Sequence, residues 1–232
     1  MRTLLRGGQI LDGAGAPAYR GDVRLNGDKI EAVGALSPLP DEQVIDVSGC
    51  VVCPAFVDMH RHMDARPLLG DDMAVELRQG IATTAVGNCG FSLAPYGGAF
   101  AAEKRENDAP ILGRYPESFR FSFPEYLNVL ESSAPGMNLA ALIGLGAVRI
   151  SLTGFSDAPL SSGALDAARG MLQDALDAGA AGISAGIMYL PEYYTTRDEY
   201  RAMLAPLRGT GKPLVTHIRG EGDGLVASVR EV

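Results

Sequence analysis

The stretch AAGISAGIMYLPEYYTTRDEYRAMLAPLRGTGKPLVTHIR, residues 180–219, contains a strand pattern, a helix pattern and a second strand pattern in that order. After the first apolar run, Thr196 and Glu199 have the spacing of a capping box, which is a common start of a helix. Apolar side chains then recur at helical spacing, and PLVTHIR follows as the second strand. Two strands joined by a helix usually lie parallel in one sheet, so this stretch predicts an α/β fold.

The same unit recurs towards the N-terminus. The run NLAALIGLGAV at 138–148 is followed by a helical pattern that ends at Gly179, and IATTAVG at 81–87 is a further apolar strand pattern. We count about five strand–helix units in residues 51–232, whereas a closed barrel of this type has eight. The sequence therefore predicts a partial (β/α)8 barrel of the TIM type. Because the chain ends within a helical pattern, we expect the barrel to be truncated.

Residues 1–50 show a different pattern. Short β-like runs alternate with turn signals, and the dipeptide Asn26-Gly27 stands between two of them, which is typical of a tight hairpin. We predict that these residues are the N-terminal part of a small β-sheet module, a β-sandwich. Further along the chain, residues 91–121 have few core signals and are predicted to be a long irregular segment.

The composition narrows the class of partner. The formal net charge of -8, with no long basic run, argues against a nucleic-acid partner. No stretch approaches the roughly 20 apolar residues that cross a bilayer, so no membrane partner is expected. The N-terminal residues lack the apolar centre of a signal peptide, which predicts a cytoplasmic protein. Small molecules are the expected partners.

The three cysteines need separate interpretations. Their odd number, in a chain without an export signal, predicts that there is no disulfide framework. Cys50 and Cys53 have no second pair with which to form a metal site, so we interpret them as core residues. Cys89 differs, because it lies between Asn88 and Gly90 directly after a predicted strand.

Histidines and Cys89 follow the predicted strands. His60 and His62 are two residues apart, so in an extended chain both side chains point to the same side and could reach one metal ion. Cys89 and His217 also end strands, at the edge where the active sites of such barrels lie. Imidazole and thiolate groups suit zinc. The alternatives are surface histidines at 60 and 62, a small buried apolar role for Cys89, and a hydrogen-bonded core role for His217.

Three motifs around these residues resemble the amidohydrolase superfamily, and in particular the N-acyl-D-amino-acid deacylases. The motifs are PAFVDMHRHMD at 54–64, GNCGFSLAP at 87–95 and THIRGEGDG at 216–224. Most members of the superfamily use a carboxylated lysine at a strand end, but no lysine of this chain ends a strand, and Cys89 stands in for it. The resemblance implies a zinc cofactor held tightly by Cys89 and His217, with His60 and His62 lining a weaker second site.

The resemblance also implies an activity. The complete enzyme would use zinc to hydrolyse the amide bond of N-acyl-D-amino acids, its small-molecule substrates, releasing a carboxylate and a D-amino acid. Tyr189 matches a tyrosine near the substrate, and we assign Arg219 with it to substrate binding. No catalytic residue is assigned within the chain, because the catalytic aspartate is expected beyond Val232. The chain alone is therefore expected to turn over little.

Two alternatives stay open. One is another amidohydrolase reaction, such as hydantoin or cyclic-amide hydrolysis, for which a bridging lysine in place of Cys89 would be expected. The other is a non-catalytic half-barrel that associates with another chain through the open edge of its sheet.

Overall fold

The computed structural model describes residues 1–232 and contains two compact units, Met1–Phe56 and Val57–Val232. The boundary lies a few residues after position 50, where the predicted N-terminal module ends.

The first unit consists of a single mixed sheet. Its strands are β1 (Arg2–Ile10), β2 (Tyr19–Asn26), β3 (Lys29–Gly34), β4 (Gln43–Asp46) and β5 (Val51–Val52). They lie in the order β3-β2-β1-β4, and β5 also pairs with β1. The β2/β3 hairpin turns at Gly27, whose φ of 60° suits glycine, so the predicted turn is confirmed. Because these residues form one sheet, they do not supply the second layer of a sandwich, and the sandwich stays a prediction.

Two cysteines of this unit are exposed. Cys50 precedes the two-residue strand β5, and Cys53 follows it. The prediction that they belong to the core is wrong. The physical reason is that β5 is a short segment that pairs only with the end of β1, so it buries neither neighbour.

The second unit contains a five-stranded sheet. Its strands are β6 (Phe56–Asp58), β7 (Ile81–Val86), β8 (Asn138–Gly144), β9 (Gly182–Gly186) and β10 (Leu214–His217). Their order in the sheet is β10-β9-β8-β7-β6, which is also their order in the chain. The pairs β7/β8, β8/β9 and β9/β10 are parallel. This parallel half-barrel sheet, together with the separate small sheet, confirms the predicted fold class.

Seven α-helices belong to this unit. They are α1 (Ala74–Arg78), α2 (Ala101–Leu112), α3 (Phe123–Ser132), α4 (Leu145–Thr153), α5 (Ser162–Ala178), α6 (Arg197–Met203) and α7 (Leu225–Glu231). The predicted capping box of Thr196 and Glu199 is formed at the start of α6. Helix α5 ends at Gly179, whose φ is 113°, as its sequence predicts. Local signals therefore fix where these two helices begin and end.

Helix α2 lies inside the segment that was predicted to be irregular. Its buried positions are Ala101, Lys104, Asp108 and Leu112. The spacing is helical, but two of these four side chains are charged, so the apolar pattern does not show the buried face. Lys104 forms a buried ion pair with Asp108 and donates a hydrogen bond to the carbonyl of Ser92 at 2.8 Å. Polar contacts, rather than an apolar stripe, hold this helix in place.

The core of the second unit lies between the sheet and its helices. Strand residues such as Val86, Ile143 and Ile183 pack there against Leu172 of α5 and Met203 of α6. Helix α7 behaves differently, because its apolar side chains point to solvent. The exposed large apolar residues of the helix are Leu225, Val226 and Val229, and Val232 directly after the helix is exposed as well. None of the helices has the length and apolar character of a membrane span.

Candidate metal centre

Two histidines lie where the chain leaves β6. His60 is exposed and His62 is half-buried. Between them, the backbone N–H of Arg61 donates to the carbonyl of Ala85 at 3.2 Å, so this segment runs beside the end of β7. The Arg61 side chain forms an ion pair at 2.5 Å with the carboxylate of Glu76, which is buried in α1. The two imidazoles are therefore carried on a segment that is anchored on both sides.

Cys89 lies in a tight turn directly after β7. Its φ is 57°, a left-handed conformation that is uncommon for residues other than glycine. The N–H of Phe91 donates to the carbonyl of Asn88 at 2.9 Å and closes the turn. The cysteine side chain is buried, with 5% of its surface exposed. The turn thus directs the thiol inward, at the carboxyl edge of the sheet.

These three side chains form one cluster. The ligand atoms of His60, His62 and Cys89 all lie within 4.8 Å of one another, and Cys89 Sγ is 3.3 Å from His60 Nε2. His62 Nδ1 is buried and makes no hydrogen bond, so it is free to bind a metal. Two imidazole nitrogens and one thiolate are a suitable ligand set for zinc, whose catalytic sites normally use three protein ligands. The residues present fit a divalent transition metal.

His217 lies outside this cluster. It ends β10, and its Nδ1–H donates to the carbonyl of Ile218 at 2.9 Å, which leaves Nε2 free. Such a bond to a backbone carbonyl is typical of histidines that bind metals through the other nitrogen. Its ring centroid is 5.0 Å from that of Tyr189, which lies 5.0 Å from that of Phe91. His217 therefore shares the carboxyl edge with the cluster, and two aromatic rings connect them.

The two predicted substrate-binding residues have different surroundings. Tyr189 is partly buried between Phe91 and His217, and burial raises the pKa of its hydroxyl, which stays protonated at neutral pH. Arg219 forms an ion pair with Glu231 at 3.0 Å, and its guanidinium lies 4.8 Å from the centroid of the Tyr193 ring. Arg219 would have to release Glu231 before it could bind a substrate carboxylate, so its assignment stays a prediction.

Two buried carboxyl groups near the cluster were given no role in the site from the sequence. Glu192, after β9, lies against the turn, since a Cβ added to Gly90 would clash with its Oε2. Asp64, two residues after His62, is 1% exposed. Burial raises the pKa of the Cys89 thiol to about 11, and the nearby charge of Glu192 adds to this effect. The thiol is therefore protonated at neutral pH until a metal ion displaces the proton.

A cavity of about 10 Å³ lies behind the turn and is lined by Cys89, Tyr189 and Glu192, among others. That volume holds at most one water molecule. That cavity is too small for a substrate, and His60 is the exposed member of the cluster.

The buried carboxyls predict how stability depends on pH. Burial raises the pKa of Asp64 and of Glu192 to about 7, from ordinary values of 3.8 and 4.5. Above about pH 5 the folded chain therefore binds up to two protons that the unfolded chain has lost, so stability falls as pH rises. Burial lowers the pKa of His62. Below about pH 6.5 the unfolded chain therefore binds one proton at His62 that the folded chain does not, and this partly offsets the effect of the two carboxyl groups.

We expect the free energy of unfolding to fall by about 1 kcal/mol per pH unit between about pH 5 and pH 7, since one net proton corresponds to about 1.4 kcal/mol per unit. Urea unfolding at several pH values, with a chelator present to remove metal, measures the slope. A free energy of unfolding that rises across this interval would contradict the prediction.

Known proteins resemble this chain over nearly its whole length. The model of the Amidohydrolase family matches residues 43–230. The D-aminoacylase of Alcaligenes xylosoxydans xylosoxydans is 35% identical over 231 residues, which cover 98% of this chain and 46% of that relative. A solved D-aminoacylase, studied for the role of its binuclear metal centre, is 35% identical with a TM-score of 0.89, covering 99% of this chain and 48% of the other.

A second solved structure has a different substrate. N-acyl-D-glutamate deacylase from Bordetella bronchiseptica, in complex with zinc and a phosphonate that mimics the tetrahedral intermediate, is 33% identical to this chain with a TM-score of 0.87. The alignment covers 99% of this chain and 47% of that protein. This chain spans about half the length of the relatives that it matches. Because the family model covers most of the sequence and the metal-binding residue types stand together at the strand ends, this chain belongs to the amidohydrolase family.

Proposed function

We propose that this chain carries the metal centre of a zinc-dependent hydrolase that cleaves the amide bond of N-acyl-D-amino acids. The observation that carries the proposal is the close approach of Cys89 Sγ to His60 Nε2, 3.3 Å, with His62 beside them. The similar D-aminoacylase and N-acyl-D-glutamate deacylase support the choice of substrate. The structure of the second enzyme with zinc supports the choice of metal.

The positions of these side chains suggest which of them would bind the metal. His60, His62 and Cys89 would hold the metal, and His217 would offer Nε2 from the end of β10, at the same carboxyl edge of the sheet. Zinc, when bound, supplies a positive charge that polarises an amide carbonyl and lowers the pKa of water. Hydrolysis adds water across the C–N bond, so that the acyl carbon gains the oxygen and the leaving nitrogen gains a proton.

Tyr189 would orient the substrate. Its backbone N–H donates to the carbonyl of Gly186 at 2.8 Å, which fixes the residue at the end of β9. Because burial raises the pKa of its hydroxyl, the hydroxyl is a hydrogen-bond donor at neutral pH. A protonated phenol beside the metal site could bind a carbonyl or carboxylate oxygen of an N-acyl amino acid.

The proposal predicts activity that is selective for one enantiomer. We expect a longer protein that contains this chain and the remaining part of the family domain, loaded with zinc, to release amino acid from N-acetyl-D-amino acids, and much less from the L forms. Amine release measured for both enantiomers, with and without a chelator, tests this. Equal rates for D and L substrates, or rates that resist metal removal, would contradict it.

The alternative amidohydrolase chemistries receive less support. Lys104 is buried in α2, and its ammonium is held by Asp108 and by the carbonyl of Ser92, so it is already engaged and not available as a bridging ligand. Activity on hydantoins or cyclic amides in the same assay, without activity on N-acetyl-D-amino acids, would favour that alternative.

The open edge of the sheet supports a second, non-catalytic candidate. The exposed apolar side of α7 and the unpaired edge of β10 are surfaces that another polypeptide segment could cover. Under this candidate, the purified chain forms a stable dimer that binds no zinc. Light scattering combined with metal analysis distinguishes the two candidates.

A further inference from the structure

Asn88 connects the two segments that carry the metal-binding side chains. It is fully buried, and its side-chain amide nitrogen donates to the carbonyl of Arg61 at 3.3 Å and to the carbonyl of Ala85 at 3.0 Å. Arg61 lies between His60 and His62, and Asn88 directly precedes Cys89. One amide group therefore joins the histidine segment to the cysteine turn.

The cysteine turn has further supports that do not involve Asn88's side chain. The hydroxyl of Ser184 in β9 accepts from the N–H of Gly90 at 3.1 Å and donates to the carbonyl of Gly87. The N–H of Ala147 also donates to the carbonyl of Gly90, at 3.0 Å. These bonds fix the turn to β9 and α4. They do not reach the histidine segment.

The histidine segment meets the end of β7 through fewer bonds. Besides the Asn88 amide, the N–H of Arg61 donates to the carbonyl of Ala85 at 3.2 Å. Asn88 is thus the side chain that ties the histidine segment to the turn that carries Cys89. The single oxygen of its amide, Oδ1, is buried without a partner, so both hydrogen bonds of the side chain come from its N–H groups.

We propose that Asn88 is a positioning residue that sets the separation between Cys89 Sγ and the two imidazoles. The proposal rests on the metal centre proposed above. The carbonyl oxygens of Arg61 and Ala85 both face Nδ2 of Asn88. A short side chain that ends in an amide can donate to both of them, because its nitrogen carries two N–H groups. Without those donors, the Arg61 carbonyl loses its buried side-chain partner. The histidine segment keeps the Arg61 N–H bond and the Arg61–Glu76 ion pair, but its separation from the thiol is held less tightly.

Binding of Co²⁺ tests this, because a thiolate bound to cobalt gives a charge-transfer absorption. We expect Asn88→Ala and Asn88→Leu to lower the Co²⁺ affinity of the chain about ten- to a hundredfold, the usual effect of removing a group that orients metal ligands. Leucine fills a similar volume but donates no hydrogen bond, so an equal loss in both variants assigns the effect to the donors.

Two control variants separate positioning from general loss of stability. Met203→Ala removes a buried side chain of α6 far along the chain, and Asn138→Ala removes an exposed amide at the start of β8. With all variants compared below their unfolding temperatures, both controls should keep the parent affinity. A Co²⁺ affinity in the Asn88 variants equal to that of the parent chain would overturn the proposal.

A second measurement needs no metal. The chelator-treated chain is alkylated with iodoacetamide, and mass spectrometry gives the rate at each cysteine, with exposed Cys50 and Cys53 as internal standards. We expect Cys89 to react faster in Asn88→Ala than in Met203→Ala, because the histidine segment no longer covers the thiol. An unchanged rate would overturn the proposal, and a parent chain that binds no Co²⁺ would overturn the metal centre independently.

Discussion

Replacing Cys89 with alanine is expected to weaken the binding of a divalent metal roughly a hundredfold or more. Four-ligand zinc sites bind with about 10 to 16 kcal/mol, so one ligand accounts for on the order of 3 kcal/mol, and about 1.4 kcal/mol is a factor of ten. Cys89 Sγ is 3.3 Å from His60 Nε2, so alanine removes a ligand from the middle of the cluster. Titration with Zn²⁺ against a competing chelator measures the loss.

The chain provides its own controls for this variant. Cys50→Ala and Cys53→Ala remove the same thiol group from exposed positions in the first unit, and neither should change metal affinity. Proton release gives a second signal. Since burial raises the pKa of Cys89 to about 11, the parent chain should release a proton when the metal binds, and Cys89→Ala should not. Tight stoichiometric zinc in Cys89→Ala would contradict the assignment.

Gly186→Ala is expected to lower the free energy of unfolding by about 3 kcal/mol and to weaken metal binding as well. An added Cβ at Gly186 would lie well inside van der Waals distance of the Cys89 carbonyl. Gly186 also pairs with His217 in the sheet, so β9 cannot move aside without breaking that pairing. Overpacking of a buried site typically costs about 1 to 3 kcal/mol, and here the opposing atom belongs to backbone.

Gly170→Ala is the matched control. Gly170 lies within helix α5, and a Cβ there would meet nothing within 4 Å. Alanine in an exposed helix interior stabilises by about 0.5 to 1 kcal/mol relative to glycine. Gly170→Ala should therefore raise the free energy of unfolding, whereas Gly186→Ala should lower it. Chemical denaturation of both variants compares them directly. Equal effects at the two positions would show that the contact with Cys89 does not restrain the fold.

The fold could be predicted from the sequence where local signals and apolar periodicity agree. Thr196 and Glu199 mark the start of α6, Gly179 marks the end of α5, and the strand runs between such helices give the parallel sheet. The candidate metal-binding residues could also be picked out from the sequence, because they end strands, and parallel strands end at one edge.

The remaining features depend on contacts between distant residues. Lys104 and Asp108 bury each other on α2, so no apolar pattern reveals that helix. Cys50 and Cys53 lie beside a strand too short to bury them. The buried position of Glu192 follows from glycines that pack around it, and nothing near Glu192 in the sequence indicates its proximity to Cys89.

The left-handed backbone of Cys89 restricts which metal-binding residues could replace it. At a φ of 57°, aspartate and histidine are tolerated far better than most side chains, whereas bulky or β-branched residues are strained. Among the common ligand types, glutamate is disfavoured by this backbone conformation, independently of its affinity for a metal. Any exchange of the soft sulfur for a harder oxygen or nitrogen donor, and with it a change in metal preference, would therefore have to pass through aspartate or histidine at this position.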